Sequence, residues 1–426
     1  MEQEHIENPP DENEGGELSR RDLIRLAGSA ALVAGTAGAV SAAPLAGVSA
    51  AIPNRPAGRP SPKLADPLPR PDDGRVGFAV VGVGKLTVNQ ILPALGASQK
   101  SKLVALVSGD RAKAERVGRD YNLSAKDIYT YDTFDQIKSN PDIKVVYVVT
   151  PNSLHRPFVE RAARAGKHVL CEKPFATNSA DCRAMIATCK AAGVKLMVAY
   201  RAQYEPFNLE AIRRCRSGEY GKMTAIVADH GRPVDLKDPA DQWRIKKALS
   251  GGGPLPDIGI YSLNACRYLT GQEPTEIQAM WTKPGNDPKF AEVEQSVVWT
   301  MRFPGNVLTT CTTSYSYQET KRFRVFFEKG WLDLDPATDY YKHNMTVERA
   351  IPPRGLTTPS DIVEYKAIKE QVPISEKDQF ALMMDHMSEC VQLNRTPKTP
   401  GEEGLRDVEI IEAIYRAART GQLQKV

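Results

Sequence analysis

An acid and a phenol four residues apart, Asp257 and Tyr261, follow a glycine run at Gly251 to Gly253. In a helix, this spacing places both side chains on one face. A phenol can transfer a proton when a nearby cation favours its ionised form. Lys173, within Cys171-Glu172-Lys173-Pro174, is the candidate cation. These residue types predict a proton-transfer site, provided that the fold brings the two segments together.

A glycine-rich turn near residue 82 predicts dinucleotide binding. Val76 to Val81 has the apolar, β-branched composition of a buried strand, and Asn89 to Leu95 is expected to be helical. Between them lies Gly82-Val83-Gly84-Lys85-Leu86-Thr87, in the strand–turn–helix context that the dinucleotide fingerprint requires. Thr87 stands where the third glycine of that fingerprint is expected, so an ordinary tight turn is the alternative.

The tip of the second predicted strand, Leu103 to Val107, favours NADP over NAD. Enzymes that select NAD usually carry an acid at this tip for the ribose 2′-hydroxyl, whereas this chain has Ser108. Asp110 is expected to cap the next helix. Three cations follow that could meet a 2′-phosphate or simply lie on a solvated helix face, namely Arg111, Lys113 and Arg116.

Strands and helices alternate from residue 75 to residue 201, which predicts a parallel sheet with right-handed crossovers. Ligands bind at the carboxyl edge of such a sheet. The predicted strands Val145 to Val149, His168 to Cys171 and Lys195 to Ala199 are followed at that edge by Pro151, His155, Glu172, Lys173 and Arg201. His155 is expected either to contact a ligand or to cap its own helix.

After Gly221 the sequence pattern changes from alternating strands and helices to mainly strands. The predicted strands after Gly221 are Met223 to Asp229, Thr275 to Trp281, Glu294 to Phe303, Val307 to Ser314, Arg322 to Glu328 and Gly330 to Leu334. Several alternate apolar and polar residues, as in an antiparallel sheet with one covered face. The predicted helices are Pro206 to Ser217, Asp257 to Leu269, Asp378 to Leu393 and Glu403 to Ala418. The fold class is therefore α/β, with a Rossmann domain at 75–201 and an α+β domain with an open, mainly antiparallel sheet at 202–426.

The N-terminus predicts export. Arg20 and Arg21 precede the uncharged run Leu26 to Val40, and Val40-Ser41-Ala42 offers small residues for cleavage. This order predicts a twin-arginine signal at 1–42 and a periplasmic protein; a disordered acidic tail before a small-residue helix is the alternative. Residues 43–74 form a Pro-rich arm.

Composition and charge argue against nucleic acid, membranes and metals as binding partners. The net charge is +4 over 426 residues, which gives no electrostatic footprint for nucleic acid. No stretch after residue 45 is apolar enough to span a bilayer. The seven cysteines contain no CxxC pair, so no metal is expected. An open sheet leaves an apolar face, which predicts a homo-oligomer.

Taken together, several motifs resemble the Gfo/Idh/MocA family of sugar and cyclitol oxidoreductases over nearly the whole chain from about residue 75. They are Gly82-Val83-Gly84-Lys85, Leu106-Val107-Ser108-Gly109, Pro151-Asn152-Ser153-Leu154-His155, Cys171-Glu172-Lys173-Pro174, Gln242-Trp243-Arg244, Asp257-Ile258-Gly259-Ile260-Tyr261 and Asp335-Pro336-Ala337-Thr338 with Tyr340-Tyr341. The resemblance implies that Lys173, Asp257 and Tyr261 are catalytic and that Tyr340 lies near the substrate. It also implies a cofactor site lined by Gly82, Gly84, Lys85, Leu86, Ser108, Lys113, Pro151, Glu172, Lys173, Arg201, Trp243 and Arg244.

Within the family, the chain resembles the glucose–fructose oxidoreductase branch. That resemblance implies tightly held NADP(H) and a ping-pong reaction, in which an aldose becomes a lactone and a ketose or second aldose is then reduced. The alternatives are a sugar or cyclitol dehydrogenase whose NAD(P) exchanges, and a non-catalytic sugar-binding protein. The segment His230-Gly231-Arg232-Pro233 departs from the branch, so sugar selectivity is expected to depend on it.

Overall fold

The computed structural model describes residues 73–350 and 367–426. The predicted signal segment 1–42 and almost all of the predicted arm 43–74 lie outside these ranges. Among the described residues, no helix has the length and apolar character needed to cross a membrane.

The first half is built on a parallel sheet whose strands are buried along most of their length. The strands are β1 (Val76–Val81), β2 (Ser101–Ser108), β3 (Ile128–Thr130), β4 (Val145–Val148), β5 (His168–Cys171) and β6 (Leu196–Val198). Their order is β3-β2-β1-β4-β5-β6. The crossover helices are α1 (Leu92–Ala97), α2 (Arg111–Asp120), α3 (His155–Arg164) and α4 (Ser179–Ala191). The strand order reverses at β1, so the carboxyl ends of β1 and β4 form the crevice where such sheets bind ligands.

The second half is built on a nine-stranded sheet. Its strands are β7 (Met223–Gly231), β8 (Glu276–Thr282), β9 (Ser296–Phe303), β10 (Val307–Ser314), β11 (Thr320–Phe327), β12 (Gly330–Leu334), β13 (Met345–Ala350), β14 (Ala367–Gln371) and β15 (Gln424–Lys425). Their order is β14-β13-β12-β11-β7-β10-β9-β8-β15. Every pairing is antiparallel except that of β7 with β10. The predicted fold class is confirmed.

The helices of the second half are α5 (Pro206–Ser217), α6 (Pro239–Gln242), α7 (Lys247–Ser250), α8 (Ile260–Thr270), α9 (Gln379–Gln392) and α10 (Gly401–Thr420). Helix α9 packs on the Rossmann half. Met383, Met384 and Met387 lie in the same buried cluster as Phe78 and Leu92 of that half. The chain therefore returns after its second sheet to cover the first.

Two predicted helices begin with a wider π-helical turn. Thr87–Ile91 precedes α1, and Leu255–Gly259 precedes α8. Single π-helical turns inside α-helices occur frequently at functional sites. Both turns lie at the edge where the two halves meet, one after the glycine-rich turn and one carrying Asp257.

Candidate active site

The glycine-rich turn after β1 has the shape that a dinucleotide phosphate needs. Gly82 has a φ of 97°, and a Cβ there would lie 2.4 Å from the carbonyl oxygen of Val149. Only glycine tolerates both conditions. A Cβ on Gly84 would meet nothing within 4 Å, so space lies open above the turn. Thr87, which replaces the third glycine, donates from Oγ1 to the carbonyl oxygen of Gly82 at 2.5 Å and so braces the turn.

Polar groups at the end of β4 also fit a bound dinucleotide. Thr150 Oγ1 and Ser153 Oγ are buried and have no hydrogen-bond partner within residues 73–350 and 367–426. Buried polar atoms are usually paired, and these two flank the half-buried Pro151 at the ligand-binding edge of the sheet. Two hydroxyls without partners therefore lie at this strand end, where the fold would hold a nucleotide.

The tip of β2 is organised around a helix cap. Ser108 is buried and accepts a hydrogen bond from the Asp110 backbone at 3.1 Å. Asp110 caps α2 by accepting from the Lys113 backbone at 2.9 Å, as predicted. Arg111 donates to the carbonyl oxygens of Ile128 at 3.0 Å and Ala125, so it ties helix to strand rather than facing a phosphate. Lys113 is half-buried in the first turn of α2, and its contact with a 2′-phosphate stays a prediction.

Lys173 joins the two predicted catalytic segments. Its Nζ donates to the Asp257 carbonyl oxygen at 2.5 Å, lies 3.8 Å from Asp257 Oδ1, and lies 4.5 Å from the centre of the Tyr261 ring. The neighbouring Glu172 points elsewhere, accepting from Tyr147 Oη at 2.6 Å. Burial raises the pKa of the Glu172 carboxyl, although Tyr147 and Lys173 oppose that shift. The convergence expected from the sequence is thus present in the structure.

Asp257 is a buried carboxylate surrounded by cations. Its Oδ2 accepts from Arg244 Nε at 2.9 Å and from Tyr315 Oη at 2.8 Å. Burial alone would raise the pKa of this carboxyl, but the charges of Arg244, Lys173 and Arg232 and the Tyr315 bond outweigh it and hold the pKa well below its usual range. Asp257 therefore stays ionised and anchors Lys173.

Tyr261 is in contact with a second cation, Arg201, which the resemblance had placed in the cofactor site. Arg201 Cζ lies 4.9 Å from the Tyr261 ring centre and 4.6 Å from that of Tyr340. Arg201 is itself fixed by bonds to the carbonyl oxygens of Thr338 and Asp339. The structure thus places Arg201 between the tyrosine predicted to transfer protons and the one predicted to meet the substrate. Burial raises the pKa of Tyr340 to about 12.

The predicted ligand contact of His155 is wrong. The ring is fully buried, with Nδ1 3.0 Å from the carbonyl oxygen of Pro174 and Nε2 3.0 Å from that of Thr150. Burial lowers the pKa of the imidazole to about 4. Because the ring is enclosed, neither nitrogen faces a ligand. The one N–H of the neutral ring can donate either to the loop after Lys173 or to the end of β4.

The segment from 232 to 250 crosses towards the glycine-rich turn. Asp238 pairs with Lys85, Nζ to Oδ2, at 2.6 Å. Trp243 lies half-buried under the Arg244 guanidinium, 4.6 Å from ring centre to Cζ. The Lys85–Asp238 pair therefore joins the glycine-rich turn to the segment that carries Trp243 and Arg244, and Leu86 beside Lys85 is half-buried.

The glycine run that precedes Asp257 approaches protein rather than ligand. A Cβ on Gly252 would lie 2.1 Å from Tyr415 Oη, and one on Gly253 would lie 2.5 Å from the Glu294 carbonyl oxygen. The buried Glu294 carboxyl accepts from the Gly253 backbone at 2.9 Å and from Tyr415 Oη at 2.8 Å. Sequence reasoning missed Glu294 and Tyr415; the glycine run indicated a close approach but not its partner.

Comparison with known proteins agrees with this geometry. Residues 76–200 match the model of an oxidoreductase family with an NAD-binding Rossmann fold, and residues 209–333 match the Gfo/Idh/MocA C-terminal domain. D-xylose 1-dehydrogenase (NADP(+)) of Haloarcula marismortui is 30% identical over 354 residues, covering 82% of this chain and 92% of the relative.

Two further relatives extend the comparison. D-xylose 1-dehydrogenase (NADP(+)) 2 of Haloferax volcanii is 26% identical, covering 81% of this chain and 98% of the relative. The solved structure of aldose–aldose oxidoreductase from Caulobacter crescentus, complexed with glycerol, has 45% identity and a TM-score of 0.75 and covers 83% of this chain and 100% of that chain. The chain described here belongs to the Gfo/Idh/MocA family of oxidoreductases.

Proposed function

We propose that this protein is an NADP-dependent oxidoreductase that acts on the CH–OH group at C1 of an aldose and forms the lactone. The observation that carries the proposal is the convergence of Lys173, Asp257 and Tyr261 in one cluster. The aldose–aldose oxidoreductase and the two xylose dehydrogenases support an aldose as substrate. The NADP(+) in the names of both dehydrogenases, and Ser108 in place of an acid, support NADP.

Hydride transfer and proton transfer depend on different groups. NADP, when bound, supplies the acceptor for the hydride that leaves the hydroxyl-bearing carbon. Tyr261 Oη takes the proton of that hydroxyl. Lys173 Nζ and the Arg201 guanidinium lie against the Tyr261 ring and hold it in place. Asp257 fixes the Lys173 ammonium group. In the reverse direction Tyr261 returns the proton to a carbonyl oxygen while Lys173 polarises that carbonyl.

We further propose that NADP(H) stays bound between two half-reactions, with the lactone leaving before a ketose or a second aldose is reduced. The aldose–aldose relative supports this over the exchanging dehydrogenase. Denaturing the purified protein should release about one nucleotide per chain, and aldose pairs should turn over without added nucleotide. Turnover that requires added NADP would instead favour the dehydrogenase.

The catalytic assignment is tested with two matched variants. Tyr261→Phe removes only the phenolic oxygen and should lower aldose oxidation by about 100-fold or more, the contribution typical of general base catalysis. Tyr121→Phe, at the end of α2 and away from the cleft, should leave the rate unchanged. Full activity of Tyr261→Phe would contradict the assignment of Tyr261 as the residue that takes the proton.

We also propose that the protein reaches the periplasm through the twin-arginine segment at 1–42. The support is the order of Arg20-Arg21, the apolar run and the small residues at Val40 to Ala42. Replacing both arginines with lysine should leave the protein in the cytoplasmic fraction. Unchanged periplasmic recovery of that variant would contradict the export route.

The partner of the second sheet is proposed to be another copy of this chain. Apolar side chains of four adjacent strands are exposed on one face, namely Val227 at 45%, Leu308 at 49%, Val298 at 45% and Met280 at 77%. Met280 lies directly opposite Val298 in the pairing of β8 with β9. Leu308 lies opposite Arg302 and Val227 lies opposite Thr310, so polar side chains separate the other apolar ones on this face. Because large exposed apolar patches mark interaction sites, the Met280–Val298 pair is the centre of the proposed interface.

A further inference from the structure

The ring of His230, at the end of β7, lies flat against the ring of Tyr261. Their centres are 4.9 Å apart and their planes differ by 20°. His230 is buried, with 4% of its surface exposed, and it belongs to the segment where the sequence departs from the expected family pattern. The phenol predicted to transfer protons is therefore supported by an aromatic ring as well as approached by two cations.

Thr338 connects this ring to one of those cations. Its Oγ1 lies 3.0 Å from His230 Nδ1, and its carbonyl oxygen accepts from Arg201 Nη2 at 2.7 Å. The next carbonyl oxygen, of Asp339, accepts from Arg201 Nη1 at 3.0 Å. One short segment thus fixes two of the three groups that contact the Tyr261 ring, His230 and Arg201, and it continues into Tyr340.

The electrostatic setting keeps the imidazole uncharged. Burial lowers the pKa of His230 well below its usual value, and the charges of Lys321, Lys173 and Arg201 lower it further, while Asp257 opposes them. The ring therefore stacks on Tyr261 without adding a third positive charge. Its contribution must come from shape and from its hydrogen bond to Thr338.

We propose that His230 is a positioning residue for proton transfer, which holds the plane of the Tyr261 phenol and is itself held by Thr338. This inference rests on the proposed function of Tyr261. Productive geometry at a reacting centre is sensitive to displacements of about 1 Å, and a ring packed on one side of the phenol restrains such displacements. His230 does not touch the reacting atoms in this account.

Three variants separate stacking from hydrogen bonding. His230→Ala removes the ring, His230→Phe keeps a ring but loses Nδ1, and Thr338→Val removes the hydroxyl at nearly constant shape. We expect His230→Ala to lower kcat by about 10- to 100-fold with little change in KM. We expect His230→Phe and Thr338→Val each to cost about threefold, since an aromatic pair remains.

The kinetic isotope effect on kcat, measured with an aldose deuterated at C1, distinguishes positioning from a purely structural role. A residue that only stabilises the fold would leave this isotope effect unchanged. If His230 positions Tyr261, the chemical step slows, so the isotope effect on kcat rises in His230→Ala and less in the two conservative variants. If His230→Ala fails to fold, the rise in Thr338→Val alone decides the matter. Variants with wild-type kcat and an unchanged isotope effect would overturn the inference.

The parallel measurement on Tyr261→Phe separates the two claims. Loss of activity in Tyr261→Phe with wild-type behaviour in the His230 and Thr338 variants removes only the positioning role. Full activity in Tyr261→Phe removes the proposed function on which the inference rests.

Discussion

At the scale of single residues, Asp257 is the group on which the site depends electrostatically. Removing one member of a buried charge cluster lowers the free energy of unfolding, because the remaining charges are left buried without a partner. Arg244, Lys173 and Tyr315 all face this one carboxylate. The carboxylate therefore acts on stability as well as on the position of Lys173.

Asp257→Asn should lower the free energy of unfolding by about 3 kcal/mol at pH 7, the cost of breaking a buried ion pair. The folded pKa of Asp257 lies below the unfolded value of about 4, so the stabilisation is complete above pH 5 and declines as the pH falls towards the folded pKa. The deficit should therefore be constant from pH 7 to pH 5 and shrink below about pH 4. Urea unfolding at each pH measures it.

Asp238→Asn is the matched control, because its partner Lys85 is largely exposed. Exposed pairs contribute at most about 1 kcal/mol. An Asp257→Asn deficit no larger than that of Asp238→Asn would contradict the assignment of Asp257 as the buried anchor.

Residue types and motifs predicted Lys173, Asp257 and Tyr261 as one cluster because strand ends at one sheet edge must converge. The contacts of His230 and Tyr315 were not predictable, since neither residue lies in a motif that matches the family pattern. Thr338 does lie in such a motif, but the motif does not show that its hydroxyl meets His230. His155 was misassigned for a related reason: its place at a strand end is clear from the sequence, but the direction of its ring depends on packing against the loop after Lys173.

At the scale of elements, the glycine run and Glu294 set the position of the turn that carries Asp257. The Glu294 carboxyl accepts from the backbone of Gly253 and Leu255 and from Tyr415 of α10. The turn is therefore fixed by the segment just before β9 and by the C-terminal helix at once. Its π-helical turn was not predictable, because it shares its apolar periodicity with an ordinary helix.

Gly252→Ala should lower the free energy of unfolding by about 1–3 kcal/mol, the usual cost of overpacking, because the new Cβ would collide with Tyr415 Oη. In a Tyr415→Phe background the added cost should be smaller, since the colliding oxygen is gone. Thermal and denaturant unfolding of the four proteins in this cycle measures the coupling.

Gly285→Ala serves as the control, because a Cβ there meets nothing within 4 Å and surface changes usually stay within about 0.5 kcal/mol. Equal effects of Gly252→Ala and Gly285→Ala would show that the glycine run is not held by Tyr415.

At the scale of the whole molecule, the two sheets differ in how their faces are covered. The Rossmann sheet is covered on one face by α9, which returns from the end of the sequence. Alternation along β9 predicted one covered face for the second sheet, and its buried residues bear this out. The return of α9 was not predictable, since an amphipathic helix does not reveal which sheet it covers.

The exposed apolar face of the second sheet predicts self-association. Val298→Glu introduces a charge beside Met280 on that face and should reduce the mass in solution from an oligomer to a single chain, because burying an unpaired carboxylate is costly. Leu393→Glu, at an exposed leucine after α9, should leave the mass unchanged. Light scattering after size exclusion measures both, and a monomeric wild-type protein would contradict the proposal.

The most direct test of the central claim is a single half-reaction followed by stopped flow. Wild-type protein carrying NADP is mixed with an aldose, and the absorbance of reduced nicotinamide is recorded for it and for Tyr261→Phe. The account predicts a rapid rise in the wild type and a rise slower by about 100-fold or more in the variant, because only the phenolic oxygen is lost. Equal rates in the two proteins would contradict it.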